Sequence, residues 1–276
     1  MFDKDTLTAL QEHKAIESAQ KALAFAHQDS NDLAALPSDY KLHNLEQYLP
    51  TRRRARGIMT TNDLESFIGY TVAHSEAGAS VFIEAESMSA FAVLNLGIPN
   101  EPGHADNKAK LKLNRTAAFT ALISIATGQP YKQSTVAEFL EDWPDQIKCI
   151  NDAGDIAPPK AIAAIRKLTI ETMRKLESEE QALSQSRSAF ESVQATSKDP
   201  IPTTILFKCQ PYSDLAERTF AIRLTVQTGG DKPAITLRVV KAEQHNEEMA
   251  AELAALIIRG FEGGTPVLVG SYTKGE

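Results

Sequence analysis

Four guanidinium groups crowd into five positions at Arg52-Arg53-Arg54-Ala55-Arg56, and three lysines recur at every second residue of Lys108-Ala109-Lys110-Leu111-Lys112-Leu113. On an extended chain alternate residues share a face, so Lys108, Lys110 and Lys112 stand about 6.8 Å apart, twice the ~3.4 Å rise. Ala109, Leu111 and Leu113 then point the other way, as on an edge or half-buried strand. Clustered cations are what sequence-independent phosphate binding requires. The same residues have plainer uses: edge lysines discourage sheet-to-sheet aggregation, and arginines in an extended arm pair with a neighbouring subunit's carboxylates. Along the sequence both strips lack the interleaved aromatic residues of single-strand binders, so the plainer uses carry more weight.

A second cationic feature depends on register. If Thr228 pairs with Pro233 across Thr228-Gly229-Gly230-Asp231-Lys232-Pro233, residues i and 461−i face each other, which sets Arg223 directly opposite Arg238. Such a like-charge pair is unfavourable unless a carboxylate or an anion relieves it, and a shifted register would remove it. The string His104-Ala105-Asp106 offers an imidazole and a carboxylate, as a metal or acid–base site requires, with His43 or His74 as a third group. In a loop, however, Asp106 serves as a turn former and His104 as an exposed polar residue. His245 and Glu248, three apart on one helix, read as solvated surface. Phosphate-cradling glycine loops, the serine-hydrolase elbow, HExxH and paired CxxC spacings are absent, so no catalytic residue, metal ligand or cofactor is assigned.

These groups need elements to carry them. Residues 5–27 form an alanine-rich helix, and residues 28–56, with Pro37 and Pro50, read as an extended arm. Leu33, Leu36, Leu42, Leu45, Tyr48 and Leu49 in that arm follow no regular period and need a surface to lie on. Thr61-Asn62-Asp63 caps a helix carrying Leu64, Phe67, Ile68 and Val72 on one side, with Gly78 at its end. Val81-Phe82-Ile83 and Phe91-Ala92-Val93-Leu94 suit a hairpin. Thr116 opens one helix and residues 135–142 make another, stopped by Trp143-Pro144. From Lys160 to about Gln194 a helical pattern runs that, unbroken, is about 52 Å long at ~1.5 Å per residue. The C-terminal part holds strands at Ile205-Leu206-Phe207, at Phe220/Ile222/Leu224/Val226 and at Ile235/Leu237/Val239. A helix follows with Met249, Leu253, Leu256, Ile257 and Phe261 on one face, then a last strand at Val267-Leu268-Val269. The fold class is α+β: residues 1–56 an N-terminal helix and arm, 57–150 a mixed α/β region, 151–200 a long helical segment, and 201–276 an antiparallel sheet with one covering helix.

Composition bounds the partners. The 276 residues carry a net charge of −7 and are 42% hydrophobic, enough for a substantial core and unfavourable for broad attraction to polyanions. Polyanion contact must therefore be local. Cys149 and Cys209 are isolated, which suggests neither a disulfide framework nor a zinc knuckle and fits a reducing cytosol. Neither a signal peptide nor a membrane span is expected.

Several strings are more peculiar than periodicity demands: Leu42-His43-Asn44-Leu45-Glu46-Gln47-Tyr48-Leu49-Pro50, Ala137-Glu138-Phe139-Leu140-Glu141-Asp142-Trp143, Ile201-Pro202 and Phe207-Lys208-Cys209-Gln210-Pro211-Tyr212. In these the chain resembles the YfdQ-like family of phage and prophage proteins, a domain of unknown function. The resemblance implies a phage accessory role near recombination and nucleotide-metabolism genes, and brings no catalytic residues with it. The expectation from sequence is a protein of the host cytosol that self-assembles as a homo-oligomer and binds rather than catalyses. The first alternative is a nucleic-acid-associated recombination or replication accessory using Arg52, Arg53, Arg54, Arg56, Lys108, Lys110 and Lys112, and the second an unrecognised metal-dependent enzyme. Arg223 and Arg238 are the candidate anion contact.

Overall fold

The computed structural model describes residues 3–26, 46–168, 200–227, 234–261 and 264–273. The chain divides into two units, Met1–Ala55 and Arg56–Glu276. Among the described residues the first holds α1 (Lys4–Ala26) and a 3-10 turn at Glu46–Tyr48. Most of α1 faces outward, including Leu7, Leu10 and Ile16, each about half exposed. The middle of the arm, residues 27–45, lies outside the described residues.

The second unit opens with β1 (Gly57–Thr61), α2 (Leu64–His74), β2 (Ser80–Glu84), β3 (Ser89–Val93), the short pair β4 (Gly97–Ile98) and β5 (Glu101–Pro102), and β6 (Asn107–Lys112). It continues through α3 (Ala117–Ile125), β7 (Thr127–Lys132), α4 (Gln133–Asp142), β8 (Ile147–Asn151), β9 (Gly154–Ile156) and α5 (Pro158–Lys167). It closes with β10 (Thr204–Cys209), β11 (Arg218–Gln227), β12 (Ala234–Val239), α6 (Ala242–Gly260) and β13 (Val267–Val269). Two larger sheets result, in the orders β1-β6-β3-β2-β13 and β7-β12-β11-β10-β8-β9. The six-stranded sheet is antiparallel throughout, whereas β1 with β6 and β13 with β2 pair in parallel. The protein is α+β.

Local chemistry explains the boundaries. The Asp63 carboxylate accepts from the Ser66 amide at 2.7 Å and the Thr116 hydroxyl from the Phe119 amide at 3.2 Å, each satisfying an orphan donor of a first helical turn. Pro158 begins α5, where its missing N–H costs nothing. Period-two burial sends Ile205, Phe207, Phe220, Ile222, Leu224, Ile235 and Leu237 into the core. There α3 and α4 meet the six-stranded sheet through Phe119 on Phe220, ring centroids 5.2 Å apart, and Phe139 on Phe207 at 5.6 Å.

Several elements depart from the sequence reading. β6 is an interior strand between β1 and β3, so its lysines do not guard a sheet edge. β13 does not close the C-terminal sheet. It pairs with β2 through Val267↔Val81 and Val269↔Ile83, because the turn after α6 delivers it to the far edge of the other sheet. α6 is likewise not the cover of one sheet. Its first half packs on β11, with His245 over Phe220 at 4.8 Å, and its end meets α2, with Phe261 edge-on to Phe67 at 6.1 Å. On α2 the buried side is Leu64, Phe67 and Thr71, while Val72 is 59% exposed, and the helix ends at His74, ahead of Gly78. α5 ends at Lys167, where its C-cap Leu168 leaves the helix with ψ of 117°; residues 169–199, where the rest of the long helix is expected, lie outside the described residues. So does the turn 228–233, yet the pairing that flanks it, Gln227↔Ala234 through Ile222↔Val239, follows the anticipated register.

At the end of the five-stranded sheet nearest α2, three backbone segments meet without room for a side chain. Gly78 has φ of +73°, and a Cβ there would lie far inside van der Waals contact of the Gly97 carbonyl; a Cβ on Gly97, itself at φ of +77°, would collide with the Gly103 nitrogen. Hydrogen bonds from Gly97 N to Ala77 O (3.0 Å) and from Gly103 N to Leu96 O (2.8 Å) hold the crossing.

Candidate nucleic-acid interface

The outward face of the five-stranded sheet gathers the lysines with aromatic rings. One cross-strand row runs Thr60, Lys110, Phe91, Phe82 and Leu268, each directly opposite the next. Lys108 and Lys112 flank Lys110 along β6, while Ala109 and Leu111 behind them are fully buried. Lys108 Nζ lies 5.5 Å from the centre of the Phe91 ring. Phe82 stacks on Tyr272 at 5.2 Å with 26° between the planes. Among the described residues none of the three lysines has a carboxylate partner, although Glu84 lies beyond Ser89 in the Lys112 row. The aromatic interleaving missing along the sequence is thus supplied across the strands.

Where β6 ends, the face gives way to a divided cleft. One chamber, about 670 Å³, is lined by Lys112, Asn114, Arg115, Thr120, Tyr212 and Glu86. The other, about 640 Å³, shares Glu86, Arg115 and Tyr212 and is also lined by Met88, Met249 and the Glu243 and Glu247 side of α6. Arg115 and Tyr212 are joined by an isolated backbone bridge, and the Arg115 guanidinium lies 5.9 Å from the Phe119 ring. In the sequence Tyr212 stands out only as part of a peculiar string, and Arg115 and Glu86 carry no local signal, because the cleft is assembled from segments far apart in the chain.

The remaining candidates are dispersed. Arg52, Arg53 and Arg54 belong to the first unit, where the Arg53 amide donates to Glu46 at 3.2 Å, and Arg56 stands just before β1 in the second. Arg223 and Arg238 do face each other across β11 and β12, both exposed, and no carboxylate pairs with either among the described residues. Asp106 is tied to Asn95, whose Nδ2 donates to its carboxylate at 2.9 Å. Among the described residues no group of three or more His, Cys, Asp or Glu side chains could hold a metal ion. His245 is half-buried, with Nδ1 3.9 Å from Glu248, which together with Glu252 also receives Arg218. Burial pushes the Cys149 and Cys209 thiols up to about 11, so near neutral pH both are thiols, the unreactive form.

Asp214, two residues beyond Tyr212, docks that loop at the N-terminus of α2. Burial raises its pKa, the Asp63 and Glu65 carboxylates act in the same direction, and a hydrogen bond from the Leu64 backbone opposes them. A raised carboxyl favours the fold while protonated; that contribution is present below the unfolded value of ~3.9 and is lost as pH rises through the higher folded value. Asp214→Asn, which keeps the acceptor and removes the charge, should therefore melt higher than the parent at pH 8, with the gain gone at pH 3. Thermal melts followed by circular dichroism check this, and an equal or lower midpoint at pH 8 would contradict it.

Fold and site together define an α+β protein with a lysine- and aromatic-bearing sheet face that ends in a polar cleft. No described helix is long and apolar enough to cross a membrane. The chain belongs to the family described as an uncharacterized conserved protein (DUF2303), which it matches over residues 5–272. Comparison with curated proteins and with solved structures finds no match.

Proposed function

We propose that this chain is a phage or prophage accessory protein of the host cytosol that binds single-stranded nucleic acid on the outward face of its five-stranded sheet. The observation that carries this reading is the set of three lysines without carboxylate partners among the described residues, on the same sheet face as Phe91, Phe82 and Tyr272. Phosphates spaced along a strand meet the Lys108, Lys110 and Lys112 row, and unpaired bases stack on the rings, a combination that tolerates any sequence. A duplex hides the base faces and gains only the ionic part. The resemblance to YfdQ-like phage proteins favours the same setting, in which recombination and replication expose single strands. Fluorescence anisotropy with a labelled oligothymidylate and a labelled duplex, titrated between about 50 and 200 mM salt, tests it. Binding that favours the single strand and weakens steeply with salt supports the reading; no binding at the low-salt end overturns it.

A second reading, self-assembly into a homo-oligomer, is favoured by α1, whose Leu7, Leu10 and Ile16 are 51%, 54% and 47% exposed. A neighbouring subunit would cover them, with Arg52, Arg54 and Arg56 set against its carboxylates. Light scattering on the full chain and on a form lacking residues 1–50 should show a smaller particle after the deletion. A full-length monomer at micromolar concentration sinks this reading.

A further inference from the structure

The cleft at the end of β6 shares Lys112 with the sheet face but has a chemistry of its own. Lys112 lines the chamber at the end of β6 and Glu243 and Glu247 the chamber against α6, with Arg115 and Glu86 common to both, and none of the five is paired with an opposite charge among the described residues. The chamber against α6 is also lined by the apolar Met88 and Met249 and by Tyr212. A site for a bare anion would not carry three carboxylates, and a site for a bare cation would not carry Lys112 and Arg115. The arrangement suits a ligand with an anionic end, a flat apolar middle and a donor edge. At about 640 and 670 Å³ the chambers lie within the range of small-molecule sites.

We propose that this cleft binds a guanine nucleotide, free or as one residue of the strand on the sheet face, with its phosphate toward Lys112 and Arg115 and its base over Met88, Met249 and Tyr212. A carboxylate offers two acceptor oxygens side by side. Of the four common bases only guanine presents two adjacent N–H donors, N1–H and the 2-amino group, on its pairing edge; adenine, cytosine and thymine each alternate a donor with acceptors. Arg115 supplies the fork geometry that suits phosphate oxygens. The strand source of the guanine rests on the sheet-face reading, whereas the free nucleotide does not.

Isothermal titration of the full chain with GMP, IMP, AMP, CMP and guanosine tests the proposal. GMP should bind saturably and about fivefold to 100-fold more tightly than IMP, which lacks only the 2-amino donor. Arg115→Ala should weaken GMP while leaving guanosine unchanged, and Glu86→Gln with Glu247→Gln should narrow the gap between GMP and IMP. Circular dichroism melts confirm that each variant is folded. Absence of saturable GMP binding at millimolar concentration overturns the proposal, as does GMP binding no tighter than IMP or CMP. The oligothymidylate, which contains no guanine, reports the sheet face separately. If it binds and GMP does not, only the cleft assignment falls; if GMP binds and it does not, the nucleotide site stands and the sheet-face reading falls.

Discussion

Replacing Lys108, Lys110 and Lys112 together by alanine should lower affinity for an oligothymidylate by at least roughly tenfold at low salt and flatten the salt dependence. Each phosphate released from a lysine removes about 0.7 from the slope of log affinity against log salt on a single strand, so three contacts account for about 2. Two numbers are thus tied to one set of residues. The fold should tolerate the change, since Lys110 and Lys112 are exposed and Ala109, Leu111 and Leu113 keep β6 buried behind them. Phe91→Ala separates the other half of the interaction. Losing one stacked base costs about 1–3 kcal/mol with the slope unaltered. If the triple variant binds with its slope unchanged, the lysines are a solvated surface and the sheet-face reading is wrong.

Gly78→Ala should be among the most destabilising single-methyl additions in the second unit, at about 2–4 kcal/mol. Left-handed backbone alone costs a non-glycine residue about 1–2 kcal/mol. The added carbon also meets the Gly97 carbonyl, a backbone atom that cannot rotate aside, and Gly97 is held in place by the hydrogen bond its amide donates to Ala77 O in the α2–β2 turn. The strain would fall on the ends of β2 and β3, the strands that set Phe82 and Phe91 beside the lysines. Urea unfolding measures the change, and a loss under about 1 kcal/mol would show that the crossing can open without cost. Gly57→Ala is the comparison. Gly57 also has positive φ, 144°, but open space where its Cβ would be, so it reports the backbone cost without the collision.

What the sequence made legible follows the range over which each feature is decided. Caps at Asp63 and Thr116, the two faces of β6 and the β11–β12 register with Arg223 opposite Arg238 are settled by residues close in the chain. Strand β7, Thr-Gly-Gln-Pro-Tyr-Lys, escapes any period-two scan because it is a sheet edge with hardly any buried side chain and a proline in its middle. The functional face was hidden for another reason. Phe91 faces Lys110 only because β3 returns antiparallel beside β6, and Tyr272 reaches Phe82 only because β13 lies along β2. The loops that place Arg115, Tyr212 and Glu86 around one cleft are likewise joined by tertiary packing alone, where no local pattern exists to read.

The parallel seating of β13 on β2 also carries a consequence for how the polypeptide is made. On the ribosome, β2 and β3 emerge one after the other and can zip into a hairpin at once, but the partner of β2 on its other side, β13, is made only after every element from β4 to α6. At about 5–20 residues per second the interval is roughly 10–40 s. Throughout it the nascent protein presents an unpaired strand, Ser-Val-Phe-Ile-Glu, that another half-made copy could pair with. Chains that stop short of Val267 should therefore be retained by chaperones or aggregate.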